Sequence, residues 1–149
     1  MLLGEDWSVK ICDFGLSRYQ EKFKVDNHGK IGTPHWMAPE ILRGEKYTEQ
    51  ADIYSFGVIL WEMITGEIPF MGRTHAQITG LVGYYHETLK LAGHFNADLR
   101  KIANMCMAID PERRPSFENV IDFITKKLPS EDKGETVSPM MNKLFDFLN

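Results

Sequence analysis

The feature that most constrains the fold is a segment at residues 48–65 that is predicted to be helical and is apolar on nearly every face. Thr48 can cap its start, acidic residues favour its first turn, and Gly66 can close its end. Its apolar residues are Ile53, Tyr54, Phe56, Val58, Ile59, Leu60, Trp61, Met63 and Ile64. A helix without a polar face belongs in the middle of a hydrophobic core. The sequence therefore predicts a domain whose other elements pack around this segment.

Three further segments show apolar residues at helical spacing and can surround the central one. The first starts near Thr74 and is interrupted by glycines, the second begins at Asn96 or Asp98, and the third is capped by Ser116. The apolar positions of the second and third are Leu99, Ile102, Ala103 and Cys106, followed by Phe117, Val120, Ile121, Ile124 and Leu128. A single helical turn is also expected from Pro39 to Leu42.

The N-terminus is predicted to form a small β-hairpin. Two short apolar stretches flank a polar turn, and in the second one Val9 and Ile11 alternate with Lys10, as in a strand with one buried face. The predicted fold class is therefore mainly α, with a small β-ribbon at the N-terminus. We assign residues 1–128 to one domain, and residues 129–149 to a polar linker followed by a short amphipathic tail.

Composition narrows the possible partners and the compartment. The 149 residues carry a net charge of −4, which gives no electrostatic reason to bind nucleic acid or anionic lipid. The two cysteines, Cys12 and Cys106, form no metal-binding motif and are typical of reduced thiols in a cytoplasmic protein. No apolar run reaches membrane-spanning length, and no signal-peptide pattern opens the chain.

Four short motifs occur in a fixed order. They are DFG at residues 13–15, WMAPE at 36–40, DIYSFG at 52–57 and DPERRP at 110–115. The first motif alone could be an ordinary turn, but its distance from the second matches the activation segment of a protein kinase. The chain therefore resembles the C-terminal lobe of a eukaryotic protein kinase, and it is most similar to the tyrosine-kinase-like group. Most members of that group phosphorylate Ser and Thr.

The resemblance implies a place for the cofactors ATP and Mg²⁺ at the first motif. Asp13 offers the hard oxygen ligand that Mg²⁺ prefers. Gly15 would let the Asp-Phe pair swing, and Phe14 would pack beneath it and report the active or inactive state. Cys12 would face the nucleotide, although a small buried hydrophobe is its simpler interpretation. These four residues are the candidate cofactor site.

The resemblance also implies a platform that receives the protein substrate. Thr33, Pro34, His35 and Trp36 correspond to it, and in such kinases the threonine forms a hydrogen bond near the catalytic aspartate. The Gly-Thr pair before the proline favours Ser/Thr over Tyr specificity. The expected partners are therefore ATP and protein substrates.

Three charged residues are expected to support this site. Glu40 and Arg114 lie in apolar neighbourhoods, and the family pairs them as a buried ion pair. Asp52 lies among the apolar residues of the central helix. It either favours the helix dipole of the first turn or, as the family implies, hydrogen-bonds the backbone of the catalytic loop. None of the three takes part in bond-making.

The position of Met1 divides the functional hypotheses. In the family pattern, the catalytic base and a second Mg²⁺ ligand would precede this residue, so no catalytic residue is retained and the chain alone is expected to be inactive. One hypothesis is an incomplete Ser/Thr kinase. The alternative is a pseudokinase-like interaction module that docks partners without catalysis. The reading frame upstream of Met1 would discriminate between them.

Overall fold

The computed structural model describes residues 2–3, 9–12 and 33–127, which fall into two compact units. Residues 2–3 and 9–12 belong to the first unit, and residues 33–127 belong to the second. Helices dominate the second unit, and a two-stranded hairpin lies in the first. The prediction of a mainly α fold with a small β-ribbon is thus confirmed. The predicted boundary after residue 128 lies outside the described residues and stays a prediction.

The hairpin consists of strand β1 (Leu2–Leu3) and strand β2 (Val9–Lys10), which pair antiparallel. Leu2 lies opposite Lys10, and Leu3 lies opposite Val9. The prediction that Ile11 contributes to a buried face is wrong, because this residue is 65% exposed. The strand ends at Lys10, so Ile11 falls beyond the pleat that would have set its direction.

Residues 33–127 of the second unit contain five α-helices and three short irregular helices. The α-helices are α1 (Pro39–Arg43), α2 (Gln50–Thr65), α3 (His75–Ile78), α4 (Ala97–Cys106) and α5 (Phe117–Lys127). Two 3-10 helices cover Pro34–Trp36 and Pro111–Arg113, and a π-helix covers Thr79–Tyr84 directly after α3. Within the described residues, no helix has the length and apolar character needed to cross a membrane.

Helix α2 begins and ends close to the predicted positions. Its first residue is Gln50 and its N-cap is Glu49, so the prediction that Thr48 is the N-cap is wrong by one position, although the Thr48 hydroxyl accepts the Gln50 N–H at 3.3 Å. Gly66 ends the helix in the left-handed region, with φ 72°, and its N–H donates to the Glu62 carbonyl at 2.8 Å. A glycine is suited to this position because it has no Cβ to clash.

The central position of α2 is confirmed for one side of the helix. Its buried residues are Ala51, Ile53, Tyr54, Gly57, Val58, Leu60 and Trp61. Four other apolar residues are only half-buried: Phe56, Ile59, Met63 and Ile64. The Trp61 indole N–H donates to the Lys90 carbonyl at 3.0 Å, so even this large side chain has its polar atom satisfied.

Helix α4 packs closely against α2 because a glycine lies at the crossing. A Cβ added to Gly57 would lie 2.7 Å from the Cβ of Cys106 and 2.8 Å from the Cγ of Met107. The predicted stripe of α4 is buried in full. Asn96 caps the helix, since its side-chain oxygen accepts the N–H groups of Asp98 and Leu99 at 2.9 and 3.1 Å.

Helix α5 is less buried than its apolar pattern predicts. Val120 and Ile124 are buried, but Phe117 and Ile121 are each 42% exposed. The Phe117 ring still meets the Phe56 ring edge-on, with 5.9 Å between centroids. The predicted cap is confirmed, because the Ser116 hydroxyl accepts an N–H of the first turn. Leu128 lies outside the described residues.

Candidate functional site

The 3-10 helix at Pro34–Trp36 is set by the proline at its first position. Thr33 before it and Met37 after it are both extended, and the Met37 N–H donates to the Pro34 carbonyl at 3.2 Å. Pro34 is buried, whereas Thr33 is exposed and its side chain does not cap the helix. Since proline fixes its own φ near the helical value, it suits the first turn. The four predicted platform residues therefore form one compact turn.

Both the side chain and the backbone of Trp36 are hydrogen-bonded to helix α2. Its indole N–H donates to Oε2 of Glu62 at 3.0 Å. Its backbone carbonyl accepts a hydrogen bond from the Ser55 hydroxyl at 2.8 Å. Ser55 and Glu62 lie seven positions apart, which is two helical turns, so both face the same side of α2. The platform is thus attached to the central helix of the unit.

Within the platform, His35 is the residue whose ring contacts helix α3. Its ring centroid is 5.5 Å from the centroid of the Trp36 ring and 5.8 Å from that of His75, which it meets edge-on. Its Nδ1 atom is buried and has no hydrogen-bond partner within the described part of the chain. His35 therefore contributes packing, with one polar atom unsatisfied.

Glu40 and Arg114 form a buried, two-point ion pair. Arg114 Nη1 lies 2.6 Å from Glu40 Oε1, and Nη2 lies 2.9 Å from Oε2. The side chain of Arg114 is 0% exposed and that of Glu40 is 4% exposed. The remaining donors of the guanidinium reach the carbonyls of Gln50, Ala108 and Ile109 at 2.8, 2.8 and 3.2 Å. Every charged atom of the pair is hydrogen-bonded, as a buried charge requires.

The Tyr54 ring lies beside the Arg114 guanidinium. The distance from the ring centroid to Cζ of Arg114 is 5.1 Å. Burial raises the pKa of the Tyr54 phenol well above its usual range, and the nearby positive charge of Arg114 opposes part of this rise. Tyr54 therefore stays neutral and covers one side of the ion pair. Arg114, which also bonds the Gln50 carbonyl, thus joins α2 and α1 to the segment before α5.

Asp52 does not lie among apolar side chains, and this expectation is wrong. The residue is exposed on the first turn of α2, between the buried Ala51 and Ile53. Partial burial of its carboxyl raises its pKa, and the Glu49 carboxylate adds to the rise. Because the turn places positions 51 and 53 toward the core, the position between them faces outward. The role that the resemblance gives to Asp52 stays a prediction.

The predicted cofactor residues Asp13, Phe14 and Gly15 lie outside the described residues. Cys12 is described and is a half-buried free thiol. Among residues 2–3, 9–12 and 33–127, no group of three or more His, Cys, Asp or Glu side chains could hold a metal ion. The described part of the site is therefore the platform and its support.

The sequence did not lead us to predict Glu62 and Ser55 as residues of the site. Glu62 is the one charged residue between positions 53 and 64, a signal that could have identified it. Arg43 was missed as well: its guanidinium pairs with Glu45 at 2.6 Å and donates to the Gly83 carbonyl at 3.0 Å, which joins α1 to the π-helix.

Comparison with known proteins gives the class that this fold and site define. Residues 1–124 match the family of protein tyrosine and serine/threonine kinases. The chain therefore belongs to the protein kinase family, and its resemblance to the tyrosine-kinase-like group is confirmed.

Relatives of this chain include three named protein kinases. The chain is 38% identical over 130 residues to the Arabidopsis thaliana serine/threonine-protein kinase CTR1, covering 87% of this chain and 16% of the relative. It is 34% identical over 126 residues to the Arabidopsis thaliana serine/threonine/tyrosine-protein kinase HT1, covering 85% and 32%. It is 37% identical over 127 residues to the Dictyostelium discoideum dual specificity protein kinase shkC, covering 83% and 25%. The chain thus spans less than a third of the length of these relatives.

Proposed function

We propose that this chain supplies the activation segment, the substrate platform and the helical support of a kinase that transfers the γ-phosphate of ATP to Ser or Thr of protein substrates in signal transduction. The observation that carries the proposal is the attachment of the Pro34–Trp36 turn to α2 at 3.0 and 2.8 Å, next to the Glu40–Arg114 ion pair. A fixed turn is what a platform needs, because phosphoryl transfer depends mainly on positioning and on charge stabilisation.

We further propose ATP and Mg²⁺ as the cofactors. The family uses both, and Mg²⁺ neutralises charge on the phosphates when it is bound. Asp13 carries the carboxylate that suits this ion, while Cys12, Phe14 and Gly15 would border the nucleotide. Thr33, Pro34, His35 and Trp36 would contact the protein substrate, and Glu40, Asp52 and Arg114 would hold the lobe that carries them.

The net charge of −4 supports protein rather than nucleic-acid partners. The cytoplasm is the compartment we propose. Two free cysteines support this, one of which is fully buried as a thiol.

The proposal can be tested with a chimera. Residues 1–127 would replace the aligned segment of the relative CTR1, whose own sequence then supplies the rest of the kinase. We expect the chimera to transfer phosphate from Mg-ATP to Ser or Thr of a generic protein substrate. Asp13→Asn should abolish the transfer because the amide replaces the charged oxygen ligand. The matched control is Asp122→Asn, whose side chain is 68% exposed on α5 and should leave the rate unchanged.

Three results would contradict the proposal in whole or in part. A chimera that unfolds cooperatively but transfers no phosphate would favour the non-catalytic interaction module. Transfer that persists at full rate in the Asp13→Asn chimera would remove Asp13 from the Mg²⁺ site. Phosphate found on Tyr alone would leave the kinase class intact and overturn the Ser/Thr specificity.

A further inference from the structure

Glu62 occupies a position on α2 that helix energetics alone would not favour for a carboxylate. It lies in the last turn of the helix, where the carbonyl ends of the backbone dipoles carry partial negative charge. The last turn of α2 contains no basic residue, and no Lys or Arg of the described residues forms a salt bridge with Glu62. Its neighbours Trp61 and Met63 are apolar. The stability of α2 therefore does not explain why a carboxylate occupies this position.

The Glu62 side chain contacts the platform. Its Oε2 accepts the indole N–H of Trp36 at 3.0 Å, across 26 positions of sequence, and the residue is half-buried. Ser55 fixes the backbone of the same tryptophan at 2.8 Å. One anchor therefore holds the end of the side chain, and the other holds the main chain.

We propose that Glu62, together with Ser55, is a positioning residue that fixes the orientation of Trp36 and thereby shapes the surface that binds the substrate peptide. This inference rests on the proposed kinase function. With the Ser55 anchor alone, Trp36 keeps its backbone position, but the indole ring can rotate about its χ angles. With both anchors, the ring has one orientation, and the peptide meets a preformed surface. Preformed surfaces bind more tightly because less conformational freedom is lost on binding.

The first experiment measures the anchor itself in the full chain of residues 1–149. Indole ¹⁵N labelling reports the exchange of each tryptophan N–H with D₂O, and Trp36→Phe assigns the Trp36 signal. Glu62→Ala should speed exchange of that proton by about tenfold or more, since the acceptor is lost. Glu62→Gln keeps an acceptor oxygen and should stay within about threefold of wild type. The Trp61 indole, bonded to the Lys90 carbonyl, is the internal control and should not change.

The second experiment measures the consequence for the substrate, in the active chimera with CTR1. Glu62→Ala should raise the KM for peptide by about tenfold, with kcat and the KM for ATP within about threefold of wild type. Glu62→Gln should restore the peptide KM, which a merely structural or charge-dependent role would not predict. Trp36→Phe should also raise the peptide KM, and the double variant with Glu62→Ala should cost less than the sum of the two single changes, because both remove the same hydrogen bond. The matched control is Glu67→Ala, which removes an exposed carboxylate just after α2 and should leave the peptide KM unchanged.

The outcomes separate this inference from the function on which it rests. Trp36 exchange that does not respond to Glu62→Ala would overturn the anchor. An active chimera whose peptide KM is unchanged by Glu62→Ala, or equally raised by Glu62→Gln, would overturn the positioning role and leave the kinase function standing. A folded chimera without activity would overturn both, whatever the exchange data show.

Discussion

Replacing Arg114 by methionine should be the most destabilising single change in the ion-pair region. Methionine resembles arginine in length and can fill the buried space, so the loss is mainly one of charge and hydrogen bonds. Five hydrogen bonds disappear: two to the Glu40 carboxylate and three to the carbonyls of Gln50, Ala108 and Ile109. The carboxylate of Glu40 then stays buried without a counter-charge.

The magnitude follows from this inventory. Removing one partner of a buried pair costs about 3–5 kcal/mol. The three unpaired carbonyls add to this, so we expect Arg114→Met to lower the free energy of unfolding by at least about 4 kcal/mol. Glu40→Gln should cost less, about 2 kcal/mol, because Arg114 keeps its three carbonyl acceptors and the amide oxygen can accept one more bond. The free energy of unfolding of a typical domain is about 5–15 kcal/mol, so Arg114→Met would remove a large part of the stability.

Urea and thermal unfolding of the 149-residue chain, followed by far-UV circular dichroism, would measure these differences. A loss of about 4 kcal/mol corresponds to a fall in Tm of about 8–16 °C for a chain of this size. Arg113→Met is the matched control. Its side chain is 81% exposed and lies 3.6 Å from Asp110, so it should cost less than about 0.5 kcal/mol.

The reasoning would be refuted if Arg114→Met cost less than about 1 kcal/mol, or if Glu40→Gln cost more than Arg114→Met. The double variant gives a further check. Because the two side chains contact each other directly, its cost should be smaller than the sum of the two single costs.

Three other outcomes follow from the packing. Gly57→Ala should cost about 1–3 kcal/mol in urea unfolding, because its Cβ would meet Cys106 at 2.7 Å, whereas Gly80→Ala, with nothing within 4 Å, should cost less than 1 kcal/mol; equal costs would contradict the close crossing. Burial raises the pKa of the Cys106 thiol to about 12 and that of Tyr54 further, so the folded state binds these protons more tightly. The stabilisation of the folded state by these two groups is complete below their unfolded pKa values of about 8.5 and 10. As pH rises above each value, the free energy of unfolding falls by about 1.4 kcal/mol per pH unit for that group. Urea unfolding at increasing alkaline pH should show this fall, and Cys106→Ala should flatten it; an unchanged slope would contradict the burial. Asn96→Ala should lower stability by about 1 kcal/mol through the lost cap of α4, and Asn96→Ser should restore most of it.

Local signals in the sequence predicted much of the helical framework. Gly66 ends α2 as expected, because few residues other than glycine adopt a positive φ. Asn96 begins α4 as expected, because few side chains can accept the unpaired N–H groups of a first helical turn. The buried stripe of α4 was equally readable from its spacing. The resemblance to the kinase family implied that Glu40 and Arg114 would meet, although 74 positions separate them.

Other features depend on tertiary contacts and could not be read from local pattern. The three carbonyls that receive Arg114 are backbone atoms, which every residue has, so no residue type marks them. The π-helix after α3 was expected only as a weak helix with glycines. Ile11 lies beyond the end of β2, and Ile121 lies on a face of α5 that its neighbours leave partly uncovered, so both apolar side chains are exposed. The Trp36–Glu62 contact needs α2 and the platform to be folded first.

The 74 positions between Glu40 and Arg114 also set a waiting time during synthesis on the ribosome. At about 5–20 residues per second, roughly 4–15 s pass between the addition of the glutamate and the addition of its arginine. During this interval α1 cannot bury its carboxylate without a counter-charge, while the apolar residues of α2 have already been made. The nascent chain therefore presents a hydrophobic helix before the residue that joins α1, α2 and the segment after α4 exists, and this is the period in which a chaperone would be of most use to it.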